Sequence, residues 1–245
     1  MKEIKMIALD MDGTLLNNQH QVSDVNKTAI KRAQDNGVEV IISTGRHYQT
    51  SSIIAKELGL HYLITVNGSE IWTMHGDLIA RQTLDPSIVM KLVKLREEHQ
   101  TWAWLASVDK IWRGETPEDI EAHEWLKFGF DTDAPEIKEK INQTLSEWED
   151  VEVSNSSLTN IEVNAVGVNK AAAIEKVCER IDITMDQVMT AGDSLNDIKM
   201  IELAGLGIAM GNAQEPVKKA ADWVTASNDE DGVALAIEKW VLSST

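Results

Sequence analysis

The stretch Ile7-Ala8-Leu9-Asp10-Met11-Asp12-Gly13-Thr14-Leu15-Leu16 decides the fold. Its first three residues form a short apolar run, which reads as a buried strand that stops at Asp10. Two carboxylates one residue apart at a strand's end are costly to bury without a counterion. Gly13 permits a sharp turn, and the backbone N–H groups after it can converge as an anion nest. A divalent cation with a phosphate group satisfies all of these groups at once. Two solvated acids at a strand end are the plainer alternative.

Three further segments have the same form. Val38-Glu-Val-Ile-Ile-Ser-Thr-Gly-Arg46 is an apolar strand ending in a hydroxyl pair, a glycine and an arginine. Thr44 can donate to a phosphate oxygen, Gly45 allows close backbone approach, and Arg46 adds fixed positive charge. Ser43 or Thr44 can equally cap the helix that follows, and helix N-termini themselves bind anions. Gly167-Val168-Asn169-Lys170 leads into a helical run over 171–181. A lysine at a helix start opposes the macrodipole unless an anion such as phosphate or Asp10 faces it; a solvated lysine is the alternative. Val188-Met-Thr-Ala-Gly-Asp-Ser-Leu-Asn-Asp197 is again a strand ending at an acid. Asp193 and Asp197 can add carboxylates to the same cation, and Asn196 can donate to phosphate, or the segment simply caps a helix over 198–204. Ligands of an open parallel sheet bind beyond the carboxyl ends of its strands, so these four loops are expected to converge.

With these motifs the chain resembles the haloacid-dehalogenase-like phosphohydrolases, and among them the Cof-type group with a large inserted cap. The resemblance also rests on Asn67-Gly68, Met210-Gly211-Asn212-Ala213 and the run from Asn228 to Val233. One departure is Ala171, where the group often has glycine. The resemblance implies Mg²⁺-dependent hydrolysis of small phosphomonoesters, such as sugar phosphates or phosphorylated cofactors, through an aspartyl-phosphate. Asp10 would be nucleophile and metal ligand. Asp12 would be the general acid and base, its backbone carbonyl also binding the metal. Asp193 would be the third ligand, with Asp197 supporting it. Thr44, Lys170, Asn196 and backbone groups near Met11 and Gly45 would hold the phosphoryl oxygens, with Arg46 beside them. A sugar phosphomutase on the same site is the alternative. A signalling receiver also combines acids, a hydroxyl, a lysine and Mg²⁺, but it lacks Asp-Gly-Thr after the phosphorylated acid and lacks the insert.

The expected fold is α/β: a three-layer Rossmann-like core with a mostly parallel sheet, interrupted by an α+β cap. Core strands are predicted at Met6, Val38, Tyr62, Gln187 and Gly207, with helices over 25–36 and 48–58, and a last helix over 233–241. Ile71-Trp72 and Leu78-Ile79 flank Gly76 as a hairpin. The core is assigned to 1–83 and 167–245, and the cap to 84–166. Within the cap, two helices (around Leu92 and Ile141) and strands at Trp102, Ile111, Val151 and Ile161 are predicted. Five of the eight tryptophans (Trp102, Trp104, Trp112, Trp125, Trp148) lie there. They fill a thin core, or one of them touches the substrate. His47 and Tyr48 line the pocket or pack the helix start.

The formal net charge is −17, from 40 acids against 23 bases. Non-specific nucleic-acid or anionic-membrane binding is therefore not expected. There is no long apolar run and no secretory signal pattern. Cys178 is the single cysteine. It excludes an internal disulfide, fits a cytoplasmic setting and lies in a core-packing pattern, Ala173-Ile174-Val177-Cys178.

Overall fold

The computed structural model describes residues 3–243. The chain opens with β1 (Met6–Leu9), α1 (Asp24–Asp35), β2 (Glu39–Ser43), α2 (Tyr48–Glu57) and β3 (Tyr62–Thr65). β4 (Glu70–Thr73) and β5 (Leu78–Arg81) form the expected hairpin. Then come α3 (Pro86–His99), β6 (Trp102–Ser107), β7 (Ile111–Arg113), β8 (Trp125–Asp131), α4 (Pro135–Ser146), β9 (Val151–Ser154) and β10 (Asn160–Ala165). The alternation resumes with α5 (Lys170–Arg180), β11 (Val188–Gly192), α6 (Ile198–Leu203), β12 (Leu206–Ala209), α7 (Glu215–Ala220), β13 (Trp223–Val224) and α8 (Gly232–Ile237).

Eight strands form one sheet in the order β13-β12-β11-β1-β2-β3-β4-β5. It is parallel from β13 to β3 and antiparallel only at β4 and β5. Helix faces of 3.6-residue period cover it: Ala29, Ile30 and Ala33 of α1, and Ala173, Ile174, Val177 and Cys178 of α5, are all buried. Each large apolar side chain buried here contributes roughly 1.5–3 kcal/mol. Burial and the nearby Glu175 push the Cys178 thiol up to about 11, which leaves it a packing residue. Register places Leu9 between Ile42 and Ala191, so β1, β2 and β11 deliver Asp10, Ser43 and Gly192 side by side at one edge.

The other five strands form a separate antiparallel sheet, β7-β6-β8-β10-β9. Its two faces differ. Leu105, Phe128, Phe130, Ile161 and Val163 pack with Leu92 and Leu95 of α3 and Ile141 and Leu145 of α4 in a core of their own. The residues between them, Trp104, Lys127, Gly129 and Glu162, take the opposite face by strand alternation. That face meets the loops of the parallel sheet, as the hydrogen bond from Lys127 Nζ to Gly45 O at 2.9 Å records.

Four elements depart from expectation, one of them the short helix α7, which the sequence pattern does not announce. β8, the central strand of the small sheet, was not predicted, because Lys127 and Gly129 interrupt its apolar run. β13 is two residues long and equally silent in the pattern. The last helix is α-helical only to Ile237 and continues as a wider π turn over Glu238–Leu242. Among the described residues, no helix is long and apolar enough to cross a membrane.

Candidate active site

Asp10 continues the ladder of β1, its N–H donating to Ala191 O at 3.0 Å. Its side chain then leaves the sheet edge into a buried cluster. Lys170 is the first residue of α5, behind the Asn169 cap whose side chain accepts from Ala172 N. Its ammonium is wholly buried and bridges Asp10 Oδ1 at 2.5 Å and Asp197 Oδ1 at 2.7 Å. The helix-start lysine thus has two anionic partners.

The fourth loop is tied to the first. Asp197 Oδ2 accepts from the backbone N–H groups of Asp193 and Ser194, at 2.9 and 3.0 Å. Asp193 Oδ1 accepts from the Thr14 hydroxyl at 3.0 Å, and Oδ2 from Ser194. Gly13 adopts φ +77°, and a Cβ there would lie 2.6 Å from Asp193 Oδ2. The turn therefore needs glycine for its backbone and for the carboxylate's approach.

One carboxylate oxygen from each of Asp10, Asp193 and Asp197 lies within 4.8 Å of the other two. Three acids face one ammonium. Burial pushes the Asp10 carboxyl upward; Lys170 opposes this, but Asp197 and Asp193 reinforce it, and the net displacement is well above the ordinary range. Burial, with Asp197 beside it, pushes Asp193 up to about 6. Burial disfavours the charged form of Lys170, yet the two carboxylates outweigh it and hold the lysine charged. The excess negative charge, in an all-oxygen donor set, fits a hard divalent cation such as Mg²⁺.

A cavity of about 410 Å³ opens over this cluster, between the two sheets. Asp10, Asp12, Thr44, Gly45, Arg46 and Asn196 all line it. Met11 is buried between the two acids. Arg46 turns to Asp12 in a forked ion pair, Nε to Oδ2 at 2.7 Å and an Nη to Oδ1 at 2.5 Å. The Thr44 hydroxyl accepts from Arg46 N at 3.1 Å. Asn196 Nδ2 donates to Asn67 Oδ1 at 3.3 Å.

Asn67 opens a set of contacts that the sequence reading did not single out. It sits at φ +60° and donates to Glu162 Oε2 at 2.7 Å. Glu162 also pairs with Lys127 Nζ at 3.0 Å and accepts from Ser156. Asn164 donates to Val66 O and Ser69 Oγ, both at 3.0 Å. His47 is buried, with Nε2 3.1 Å from Ser107 O. A carbonyl only accepts, so Nε2 carries the proton in this contact. The small sheet is thereby held over the loops by polar groups. The signal for Lys127 and Glu162 was present: each is a charge inside an otherwise apolar strand, which demands a buried partner.

A second cavity of about 310 Å³ adjoins the first, sharing Gly45, Arg46 and Arg113 with it. Trp104, Ala106 and Ile111 of the small sheet form its roof.

A family model of haloacid dehalogenase-like hydrolases matches residues 7–119 and 113–237. The 5-amino-6-(5-phospho-D-ribitylamino)uracil phosphatase YcsE of Bacillus subtilis is 53% identical, over 98% of this chain and 97% of its own. The HMP-PP phosphatase of Cronobacter sakazakii is 32% identical over 84% of each chain. Among solved structures, a haloacid dehalogenase-like hydrolase from B. subtilis superposes with a TM-score of 0.89 at 27% identity, covering 96% of this chain and 99% of that one. The fold is thus shared with a solved structure matched over nearly its whole length, and the family model and relatives show that the chain belongs to the haloacid dehalogenase-like hydrolases.

Proposed function

We propose that the protein is a Mg²⁺-dependent phosphatase that hydrolyses small phosphomonoesters through an aspartyl-phosphate on Asp10. The observation that carries this reading is the Asp10 carboxylate, buried at a strand end, gripped by Lys170 and lining the cavity between the two sheets. The names of the relatives support the reaction class.

Asp10 attacks phosphorus in line with the leaving alkoxide, and the P–O bond to the alcohol breaks as the Asp10 Oδ–P bond forms. Asp12, once it leaves its forked ion pair with Arg46 and takes up a proton, gives that proton to the departing oxygen. It then takes one from a water that attacks the aspartyl-phosphate, releasing inorganic phosphate and restoring Asp10. With both oxygens on Arg46, Asp12 stands in its ionised form, so the pair must open before each turnover. Lys170, Thr44, Asn196 and the backbone around Met11 and Gly45 hold the phosphoryl oxygens, a positioning and charge-stabilising role. Asp10 and Asp193 would hold Mg²⁺, with the Asp12 carbonyl beside them and Asp197 behind. When bound, the ion neutralises the acid cluster and the incoming phosphate. Two like unit charges 4 Å apart repel by about 4 kcal/mol at an effective dielectric of 20, so a phosphate dianion needs that neutralisation.

Residues 84–166 act as the specificity cap on a core made of 1–83 and 167–245. The 53% identity to the B. subtilis enzyme makes 5-amino-6-(5-phospho-D-ribitylamino)uracil the leading ester to assay. The net charge of −17 supports a small-molecule partner over nucleic acid or an anionic membrane, and the single, buried cysteine supports a cytoplasmic setting. The test is product analysis on a panel of phosphomonoesters with Mg²⁺. Inorganic phosphate supports the phosphatase; an isomeric sugar phosphate without phosphate release assigns a mutase instead.

A further inference from the structure

Glu162 and Asn164, two residues apart on one face of β10, meet the same core side chain, the Asn67 amide. All three are buried. What each can offer is set by its chemistry. Glu162 Oε1 accepts from Lys127 Nζ and from the Ser156 hydroxyl, each at 3.0 Å. Burial opposes ionisation of this carboxyl, but Lys127 and the hydrogen bonds to it prevail and hold it below its ordinary range. An ionised carboxylate only accepts. Glu162 Oε2 therefore requires the amino end of Asn67 opposite it, and Asn67 Nδ2 stands there at 2.7 Å. Asn164 makes the same demand. Its own Nδ2 donates to Val66 O, Ser69 Oγ and Leu126 O, which leaves Oδ1 toward Asn67 at 3.3 Å. The Asn67 amide thus has one permitted orientation, with its oxygen turned away from the small sheet.

That oxygen meets the catalytic loop. Asn67 Oδ1 accepts from Asn196 Nδ2 at 3.3 Å. Gly45 leaves room for it, since a Cβ at 45 would lie 2.9 Å from Asn67 Oδ1. An amide oxygen only accepts, so Asn196 must present its amino group to Asn67 and not its carbonyl. Asn67 lines neither cavity, whereas Asn196 lines the one over Asp10. Of the two N–H bonds on Asn196 Nδ2, Asn67 takes one, and among the described residues no protein acceptor takes the other. Asn196 donates to Asn67 and Asn67 to Glu162, so one charge on the small sheet sets the direction of the whole chain.

We propose that Glu162 is a positioning residue for phosphoryl transfer: through Asn67 it fixes the polarity of the Asn196 amide and so keeps an N–H available to a phosphoryl oxygen. This rests on the phosphatase reading and adds the residues that aim one of its donors. Glu162 and Asn67 themselves exchange no proton with the substrate. In Glu162→Gln, Oε1 stays with the Lys127 ammonium, and an amide nitrogen replaces Oε2. Two donors then face each other across the shorter of the two contacts to Asn67. The Asn67 amide turns over, and Asn196 answers with its carbonyl in place of its amino group.

The experiment is a double-mutant cycle on kcat/KM, with Mg²⁺ and the panel ester that wild type turns over fastest. Asn196→Ala should lower kcat/KM at least about tenfold, the scale of one hydrogen bond to a charged group. Glu162→Gln should lower it about tenfold alone, but by no more than about twofold when Asn196→Ala is already present, because no amide is left to aim. Its effect on Tm should be the same in both backgrounds, which separates aiming Asn196 from holding the small sheet. Asn67→Gly removes the intermediate amide at a backbone of φ +60° that glycine accepts. It should repeat the pattern, and it provides a second variant if Glu162→Gln does not fold. An equal fold-loss with and without Asn196→Ala overturns the proposal, because Glu162 would then act through the sheet or on the substrate directly. Wild-type kcat/KM in Asn196→Ala, or in both Glu162→Gln and Asn67→Gly, overturns it as well. These outcomes leave the phosphatase reading standing; phosphate release by wild type from no panel ester overturns that reading, and this proposal with it.

Discussion

Lys170 Nζ stands 2.5 Å from Asp10 Oδ1, although 160 positions separate the two in sequence. The lysine side chain is wholly inaccessible, and that of Asp10 is 8% exposed. A buried ion pair of this kind is a weak source of net stability but costly to break from one side. Its value lies in placing a fixed positive charge against the oxygen that would attack phosphorus.

Lys170→Met should therefore fail in two ways. Asp10 and Asp197 lose their common cation, and one-sided loss of a buried pair costs about 3–5 kcal/mol. For a chain of this length, that corresponds to a fall in Tm of roughly 10 °C. Turnover should fall at least about a hundredfold, the scale for losing one preorganised donor to a developing charge. Melting curves and phosphate release check both; a variant with wild-type Tm and rate contradicts the placement of Lys170.

Chelation with EDTA should abolish turnover, and Mg²⁺ should restore it. A pH dependence follows from Asp193, whose carboxyl burial pushes up to about 6 from an ordinary 3.8. The folded, metal-free protein then holds a proton that the unfolded chain releases at lower pH. Between those two values the group's contribution to stability falls as pH rises, and above about 6 the loss is complete. Mg²⁺ requires the ionised carboxylate. Added Mg²⁺ should thus raise Tm more at about pH 7 than at about pH 5; equal increments would contradict the assignment of Asp193 as a ligand.

Glu162 behaves in the opposite sense. Burial by itself would raise its carboxyl, but Lys127 and the hydrogen bonds from Asn67, Lys127 and Ser156 prevail and hold it below its ordinary 4.5. Its stabilising contribution is full above about 4.5 and is lost as pH falls through the lower folded-state value. Glu162→Gln should lower Tm by an amount that stays constant from about pH 5 to 8 and shrinks below that range. A Tm difference that instead grew on acidification would mean the Lys127–Glu162 pair does not hold the small sheet in place.

Much of the core was legible because each of its loops states its chemistry locally. Asp10, Thr44, Lys170 and Asp193 each end an apolar strand or open a helix, and the parallel-sheet rule brings such ends together. The partners of Arg46 were not legible. Its ion pair with Asp12 depends on how two loops meet, which no spacing within either loop encodes. The small sheet was half legible. Trp102, Trp104 and Ala106 alternate and read as a strand, whereas β8 hides behind Lys127 and Gly129. Those two residues break the apolar pattern because the site uses them, one to reach Gly45 and Glu162 and the other to make room for Trp104. Asn67 was visible as a turn, but its left-handed backbone and its bond to Glu162 follow from tertiary contact alone.

The central claim is that Asp10 carries the phosphoryl group, and the most direct test is phosphate release by Asp10→Asn beside wild type. Both are assayed with Mg²⁺ on the ester that wild type turns over fastest. Asparagine keeps the size of the side chain and removes the anionic nucleophile. Turnover should drop by about 10⁴-fold or more, the scale seen when a covalent nucleophile is removed, while the variant remains folded. A folded Asp10→Asn protein that releases phosphate within tenfold of the wild-type rate would contradict the mechanism.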